Sequence, residues 1–210
     1  MIIVAGPPGG GKSSLFPVRE LGVEWFNADD SAAALNRNSY WRISTEIRAA
    51  ASRQLQQFID GNTEARQSFA YESTLRSEIC FDQIRRAKEL GFFVRMSYIA
   101  AGPVDEHIRR VMNRARLGGH SASERRLRDI YERSMKNLVV AFELNRQREI
   151  DRLRVFDNSA HFGSPRLVLG MARGVPVRIA ATLPEWLETA LAGSPFAVER
   201  LRAMARRNPA

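Results

Sequence analysis

Apolar residues along this chain follow two rhythms. Short unbroken runs such as Ile2-Ile3-Val4-Ala5 have the signature of strands buried on both faces of a sheet. Longer stretches carry apolar residues on one helical stripe, as at Trp41, Ile47, Ala51, Leu55, Phe58 and Ile59. The first rhythm predicts strands at about 2–5, 23–27, 67–72, 92–99 and 153–157. The second predicts helices at roughly 12–21, 31–36, 41–60, 78–90, 104–117 and 123–150. Gly61-Asn62 is expected to stop the third helix, and Gly91 the fourth, as C-terminal glycines do. Strands that alternate with helices predict an α/β fold with a mainly parallel sheet. After the fifth strand the pattern changes. Two apolar runs flank Arg173-Gly174, a hairpin signal, and Pro184 opens a helix at Glu185-Trp186-Leu187 ahead of an arginine-rich last helix. With no repeat and no linker, residues 1–210 are expected to form a single domain with a C-terminal extension from about residue 160.

Between the first strand and the first helix stands Gly6-Pro7-Pro8-Gly9-Gly10-Gly11-Lys12-Ser13, followed by Ser14. The spelling is that of the phosphate-binding loop G-x-x-x-x-G-K-[ST], in the strand–loop–helix setting that the chemistry needs. Glycines let successive backbone N–H groups turn toward a triphosphate, and the helix N-terminus adds partial positive charge. Lys12 is expected to reach the β- and γ-phosphates, and the Ser13 hydroxyl to ligate Mg²⁺. A nucleoside triphosphate is therefore the expected ligand.

Composition narrows the setting. Over 210 residues the net charge is +9, and only Lys12, Lys88 and Lys136 are lysines, so arginine carries the excess. Between Arg109 and Arg154 there are thirteen basic residues against six acidic ones. Such a balance suits polyanions, either phosphorylated small molecules or nucleic acid. No aromatic ladder or nucleic-acid module accompanies the charge, so a nucleic-acid-associated ATPase ranks below a small-molecule enzyme. No apolar run is long enough to span a bilayer, and the single Cys80 sits among apolar helix positions. A cytoplasmic protein, monomeric by default, is expected.

Open α/β sheets bind ligands beyond the carboxyl ends of their strands, which directs attention to three further clusters. Asn27-Ala28-Asp29-Asp30 ends the second strand. Asp29 is the candidate to take a proton from an attacking hydroxyl, and Asp30 is left for capping or a metal shell. Alternatively, Asp29, Asp30 or Ser31 caps the next helix. At the third strand, Glu72, Thr74 and Arg76 would project to one side if the chain stays extended, a set able to read a hydroxyl-rich, phosphorylated acceptor. Ser73 or Thr74 could instead cap the following helix. Gly118-Gly119-His120 forms a hinge among arginines, of which Arg114 and Arg128 are the candidates to fold over the triphosphate, in a lid spanning about 109–135.

In order along the chain, the phosphate loop, Phe26-Asn-Ala-Asp-Asp30, Tyr71-Glu-Ser-Thr-Leu75, Gly118-Gly-His120 and Phe156-Asp-Asn-Ser159 resemble the zeta toxin family of P-loop kinases. The segments Tyr131–Leu138 and Pro184-Glu-Trp186 add to the likeness. The resemblance implies a three-layer sandwich like that of nucleoside monophosphate kinases, with a helical lid, ATP as donor and Mg²⁺ as cofactor. It further implies transfer of a phosphoryl group to a small-molecule hydroxyl, in some members that of UDP-N-acetylglucosamine, and a protein inhibitor (antitoxin) as partner. By the same resemblance Asp29 is catalytic, Glu72, Thr74 and Arg76 contact the acceptor, and Arg114 is the lid arginine on the nucleotide side. Relatives often carry arginine where this chain has Ile130. Either Arg128 substitutes from the preceding turn or the role is unfilled. A kinase of a nucleotide, nucleoside or antibiotic shares all these features except the acceptor pocket.

Overall fold

The computed structural model describes residues 1–116, 122–159 and 165–207. Seven strands, β1 (Ile2–Ala5), β2 (Glu24–Phe26), β3 (Phe69–Ser73), β4 (Arg95–Ala100), β5 (Arg152–Asp157), β6 (Arg166–Ala172) and β7 (Val175–Ile179), form one sheet in the order β2-β3-β1-β4-β5-β6-β7. β1 to β5 are parallel, and β6 and β7 are added antiparallel. The helices are α1 (Lys12–Leu15), α2 (Ala28–Leu35), α3 (Thr45–Glu64), α4 (Ile79–Glu89), α5 (Val104–Arg116), α6 (Glu124–Arg146), α7 (Glu185–Leu191) and α8 (Val198–Arg207). This is the expected α/β architecture, with β1 placed between β3 and β4. The crevice at the carboxyl end of β1 is therefore the place where such sheets accept ligands.

Side-chain alternation sorts the parallel strands between two layers. Ile3, Phe69, Tyr71, Met96, Tyr98, Leu153 and Val155 face a large core with Phe81 and Ile84 of α4, Leu138 and Phe142 of α6, and Trp186 and Leu187 of α7. The opposite face offers Val4, Ala70, Ile99 and Phe156, covered by Leu15, Phe16, Val18, Leu21 and Val23. That cover is thin because Pro17, lacking an N–H, halts α1 at Leu15; a 3₁₀ turn, Val18–Glu20, replaces the longer helix expected to 21.

Two other boundaries differ for local reasons. α3 runs through Gly61 and Asn62 to Glu64, where Gly61 was expected to stop it. The Asn62 amide donates back to Phe58 O, and the chain leaves the helix through Arg66 at φ 54. α2 starts at Ala28 because Asn27 caps it, its Oδ1 accepting from Asp29 N at 2.9 Å and Asp30 N at 3.4 Å. Neither aspartate is the cap. The hairpin appears as expected, with Arg173 and Gly174 both at positive φ between β6 and β7.

One buried ion pair ties α4 to the edge of β4. Asp151, 5% exposed, accepts from Lys88 Nζ and from Val94 N, each at 2.8 Å. Removing the carboxylate leaves Val94 N without its acceptor and Lys88 with Phe92 O alone, so Asp151→Ala should cost about 3 kcal/mol, read as a lowered urea midpoint.

Candidate active site

The loop between β1 and α1 is held against neighbouring backbone. A Cβ on Gly6, at φ 140, would stand 2.1 Å from Ile99 O, and one on Gly9 would stand 2.5 Å from His107 O. Any side chain at either position would have to displace backbone, which accounts for glycine there. Gly6 N donates to Ser73 O and Gly10 N to Pro7 O, closing the turn.

Two side chains clamp the loop from outside. His107 of α5 accepts from Ala101 N through Nε2 at 2.9 Å, so its proton sits on Nδ1, which reaches Pro8 O at 2.8 Å. Burial pushes its pKa down to about 4, keeping the ring neutral. Asn158 donates from Nδ2 to Gly10 O at 3.0 Å. Its own backbone is fixed by Ala100 O and by Arg110, which donates to Asn158 O. The sequence singled out Asn158 only as part of a motif without a role, and His107 not at all; nothing around His107 in the chain marks it.

The loop opens onto a cavity of about 490 Å³. Pro8, Gly9, Gly11, Lys12, Ser13 and Ser14 form one wall, whereas Gly6, Pro7 and Gly10 are buried behind it. Lys12 Nζ donates to Gly6 O at 2.8 Å and to Pro7 O at 3.2 Å, lying back along its own loop. Burial lowers its pKa, against the opposing pull of Glu72 and Asp29. Ser13 Oγ donates to Glu72 Oε2 at 3.2 Å, and burial raises the Glu72 pKa. A hydroxyl and one carboxylate side by side are hard oxygen donors of the kind Mg²⁺ uses beside triphosphate oxygens and water. Among the described residues there is no group of three or more His, Cys, Asp or Glu that could hold a metal on its own. The donor set thus fits a cation carried in with a phosphate ligand.

The remaining walls come from five helices, α2 to α6, and the β3–α4 connection. Asp29, in the first turn of α2, faces the cavity. Asp30 does not line it: its Oδ1 accepts from Tyr40 OH at 2.7 Å, a bond that pushes the Tyr40 pKa up to about 12. Glu72, Thr74 and Arg76 do come together there, though not on a continuing strand. β3 ends at Ser73, and Leu75 turns at φ 53 into the core, its carbonyl held by Asn137 Nδ2. Neither Ser73 nor Thr74 caps α4, whose N-cap is Glu78; Ser73 Oγ accepts instead from Leu75 N. Deeper in, Gln83 donates to Gln56 at 2.7 Å beside Tyr71 and Cys80. Burial pushes the Cys80 thiol up to about 11, which leaves it protonated.

The arginines divide. Arg114 of α5 lines the cavity as expected, together with Arg76, Arg48 of α3 and Arg126 of α6. Arg128 does not. It lies outside the cavity, paired at 2.7 Å with both Asp105 and Glu124. The position that relatives often fill with arginine is Ile130, a buried apolar part of the wall. Gly118, Gly119 and His120 lie outside the described residues.

Residues 1–162 match the Zeta toxin family. Over 56 residues the chain is 36% identical to an uncharacterised protein of Haemophilus influenzae, an alignment that spans 27% of this chain and only 40% of that relative's length. In three dimensions it resembles the PezAT chromosomal toxin–antitoxin system of Streptococcus pneumoniae, with TM-score 0.58 and 15% identity over 99% of this chain and 85% of that one. It also resembles the AvrRxo1-ORF1:-ORF2 complex with ATP, with TM-score 0.64 and 16% identity over 98% and 75% of the two chains. At such identities the structural likeness establishes the fold.

The clamp at His107 has a pH signature. Its folded pKa of about 4 lies below the ordinary 6.5, so as pH falls the unfolded chain takes up the proton first. The contribution of the neutral ring is intact above about pH 6.5 and drains away toward pH 4. His107→Gln should flatten the fall in urea midpoint across that window relative to the parent chain.

Proposed function

The chain belongs to the zeta toxin family of P-loop kinases, and from that membership we infer that it transfers the γ-phosphoryl group of ATP to a hydroxyl of an anionic small molecule, a nucleotide sugar such as UDP-N-acetylglucosamine. The observation that carries the acceptor class is the charge of the cavity wall. Lys12, Arg48, Arg76, Arg114 and Arg126 face it against only Asp29 and Glu72. Magnesium-bound ATP, a dianion, leaves positive charge over, which favours an acceptor that brings its own phosphates and disfavours cationic antibiotics or neutral nucleosides. The structural relative solved with ATP supports ATP as donor.

In this reading Asp29 accepts the proton of the acceptor hydroxyl as its oxygen attacks the γ-phosphorus, the bond to the β-phosphate oxygen breaks, and ADP leaves. Lys12 swings from Gly6 O and Pro7 O to the β/γ-phosphates, and Arg114 offsets charge on the transferring group. Ser13 and Glu72 would hold Mg²⁺, which when bound would shield the triphosphate charge. Loop backbone from Gly6 to Gly11, with Ser14, cradles the phosphates. Thr74 and Arg76 orient the acceptor, with the amides of Gln56 and Gln83 at the far end of the cavity for its neutral polar part. Residues 1–210 act as one kinase domain whose α5–α6 region, about 109–135, is the lid. The cytoplasm, where ATP is supplied, is the compartment for this chemistry. The toxin–antitoxin setting of the PezAT relative supports a protein inhibitor as a partner. Among the described residues no helix is long and apolar enough to cross a membrane.

Two outcomes are expected from phosphoryl-transfer assays on a panel of nucleotide sugars read by mass spectrometry. Asp29→Asn should lower turnover by about 10²–10⁴-fold while ATP affinity stays near that of the parent; near-normal transfer would remove Asp29 from the base role. Arg76→Gln should raise the KM for a phosphorylated acceptor by about tenfold or more and leave the KM for ATP nearly unchanged.

A further inference from the structure

Among the described residues, the apolar cover on the face of the sheet opposite the main core comes from residues 12–23. Toward β7 it carries guanidinium groups instead. Arg95 of β4 is the direct cross-strand partner of Arg152 of β5, two residues before Arg154 on the same strand face. Arg154 lies opposite Gly170 of β6, which in turn lies opposite Arg178 of β7. A Cβ on Gly170 would stand 3.4 Å from Val177 Cγ2 and 3.5 Å from Arg178 Cβ, so both side chains overhang the bare glycine. All four arginines are exposed, and none has an ion-pair partner among the described residues.

Like charges placed directly opposite each other weaken a sheet, and among the described residues no carboxylate forms an ion pair with any of the four. The groups are also held in place. Arg95 and Arg152 lie over the Phe93 ring at 5.5 and 6.0 Å, and Arg154 lies over Phe156 at 5.7 Å while donating to Ser97 Oγ. Partial burial of its guanidinium lowers the Arg154 pKa, and the neighbouring Arg95 and Arg152 lower it further.

We propose that this face docks an acidic helix of a partner protein. Parallel strands such as β4 and β5 are normally covered on both faces by helices, and here one layer is missing. Across β4 to β7 the gap is about 14 Å wide, three strand spacings, which accommodates one helix of about 10–12 Å diameter. Gly170, Ala172 and Ser97 keep the middle of the patch low, while exposed Val177 (55%) and Phe93 (42%) give apolar contact at its margins. Three guanidinium forks held over aromatic rings, with Arg178 beside them, call for carboxylates at helical spacing on the incoming face. A single-stranded nucleic acid fits less well, because the two rings at the patch already carry guanidinium groups and leave no free stacking platform.

The test uses the full chain and fluorescence anisotropy with three labelled probes. One is a Glu/Ala-rich amphipathic helix of about 20 residues; the second is the same peptide with proline in place of alanine at interior positions, its charge unchanged; the third is a single-stranded DNA oligonucleotide of matched charge. The helical peptide should bind, and the variant carrying Arg95→Gln, Arg152→Gln, Arg154→Gln and Arg178→Gln should bind it about tenfold or more weakly. The paired variants Arg95→Gln/Arg152→Gln and Arg154→Gln/Arg178→Gln should each show part of that loss with no fall in melting temperature, which covers a fourfold variant that fails to fold. Equal binding by parent and variants overturns the proposal. So does equal affinity for the proline-interrupted peptide, which would reduce the face to bare charge, or tighter arginine-dependent binding of the oligonucleotide, which would make it a nucleic-acid surface.

Discussion

The contact of Gly6 and Gly10 with the carbonyl of Ile99 governs the arrangement of the site. The loop can approach the end of β4 this closely only without side chains, and once there it is locked by His107 from α5 and Asn158 beyond β5. That position sets the rest. With β1 between β3 and β4, the same loop presents Ser13 to Glu72 on its β3 side while its other edge is bonded to residues following β4 and β5. The C-terminal elements are drawn into the same arrangement, since Trp186 of α7 donates to Asp157 beside Asn158.

The site's carboxylates and arginines reach the cavity by different physical routes. Asp29 arrives through a capped helix start, so its position follows from Asn27 fixing the first turn of α2. Glu72 and Arg76 arrive on either side of a turn at Leu75, a fully buried residue with positive φ whose carbonyl is bonded by α6. Strain at Leu75 is thus held by core packing and a hydrogen bond from another element, an arrangement typical of residues that shape binding clefts. Arg48 and Arg126 line the cavity from α3 and α6, so this part of its wall depends on how those two helices pack.

Much of this was legible in the chain because its signals are local. The phosphate loop, the alternation of strands and helices and the polar residues after β2 and β3 each depend on a few adjacent residues. What escaped depends on phase or distance. Arg126 and Arg128 differ by about 200° of rotation around α6, so counting arginines does not decide which one faces the cavity. The Ser123 cap sets that phase and gives the cavity to Arg126. His107 was invisible because its partners, Pro8 O and Ala101 N, are backbone atoms, one of them 99 residues away. Gly61 misled because a glycine within an otherwise strong helix costs only about 1 kcal/mol, less than the packing of Phe58 and Ile59 returns.

Lys12 lies against Gly6 O and Pro7 O, and that placement makes the loop a discriminator. The ammonium group is already satisfied by two carbonyl oxygens, so an incoming ligand must replace both contacts before it gains anything from the lysine. Phosphate oxygens can do so because they are charged; the hydroxyls of a sugar or the edge of a base offer weaker acceptors than the carbonyls they would displace. A ligand without phosphate oxygens therefore has less to offer Lys12 than the two carbonyls that the side chain already holds.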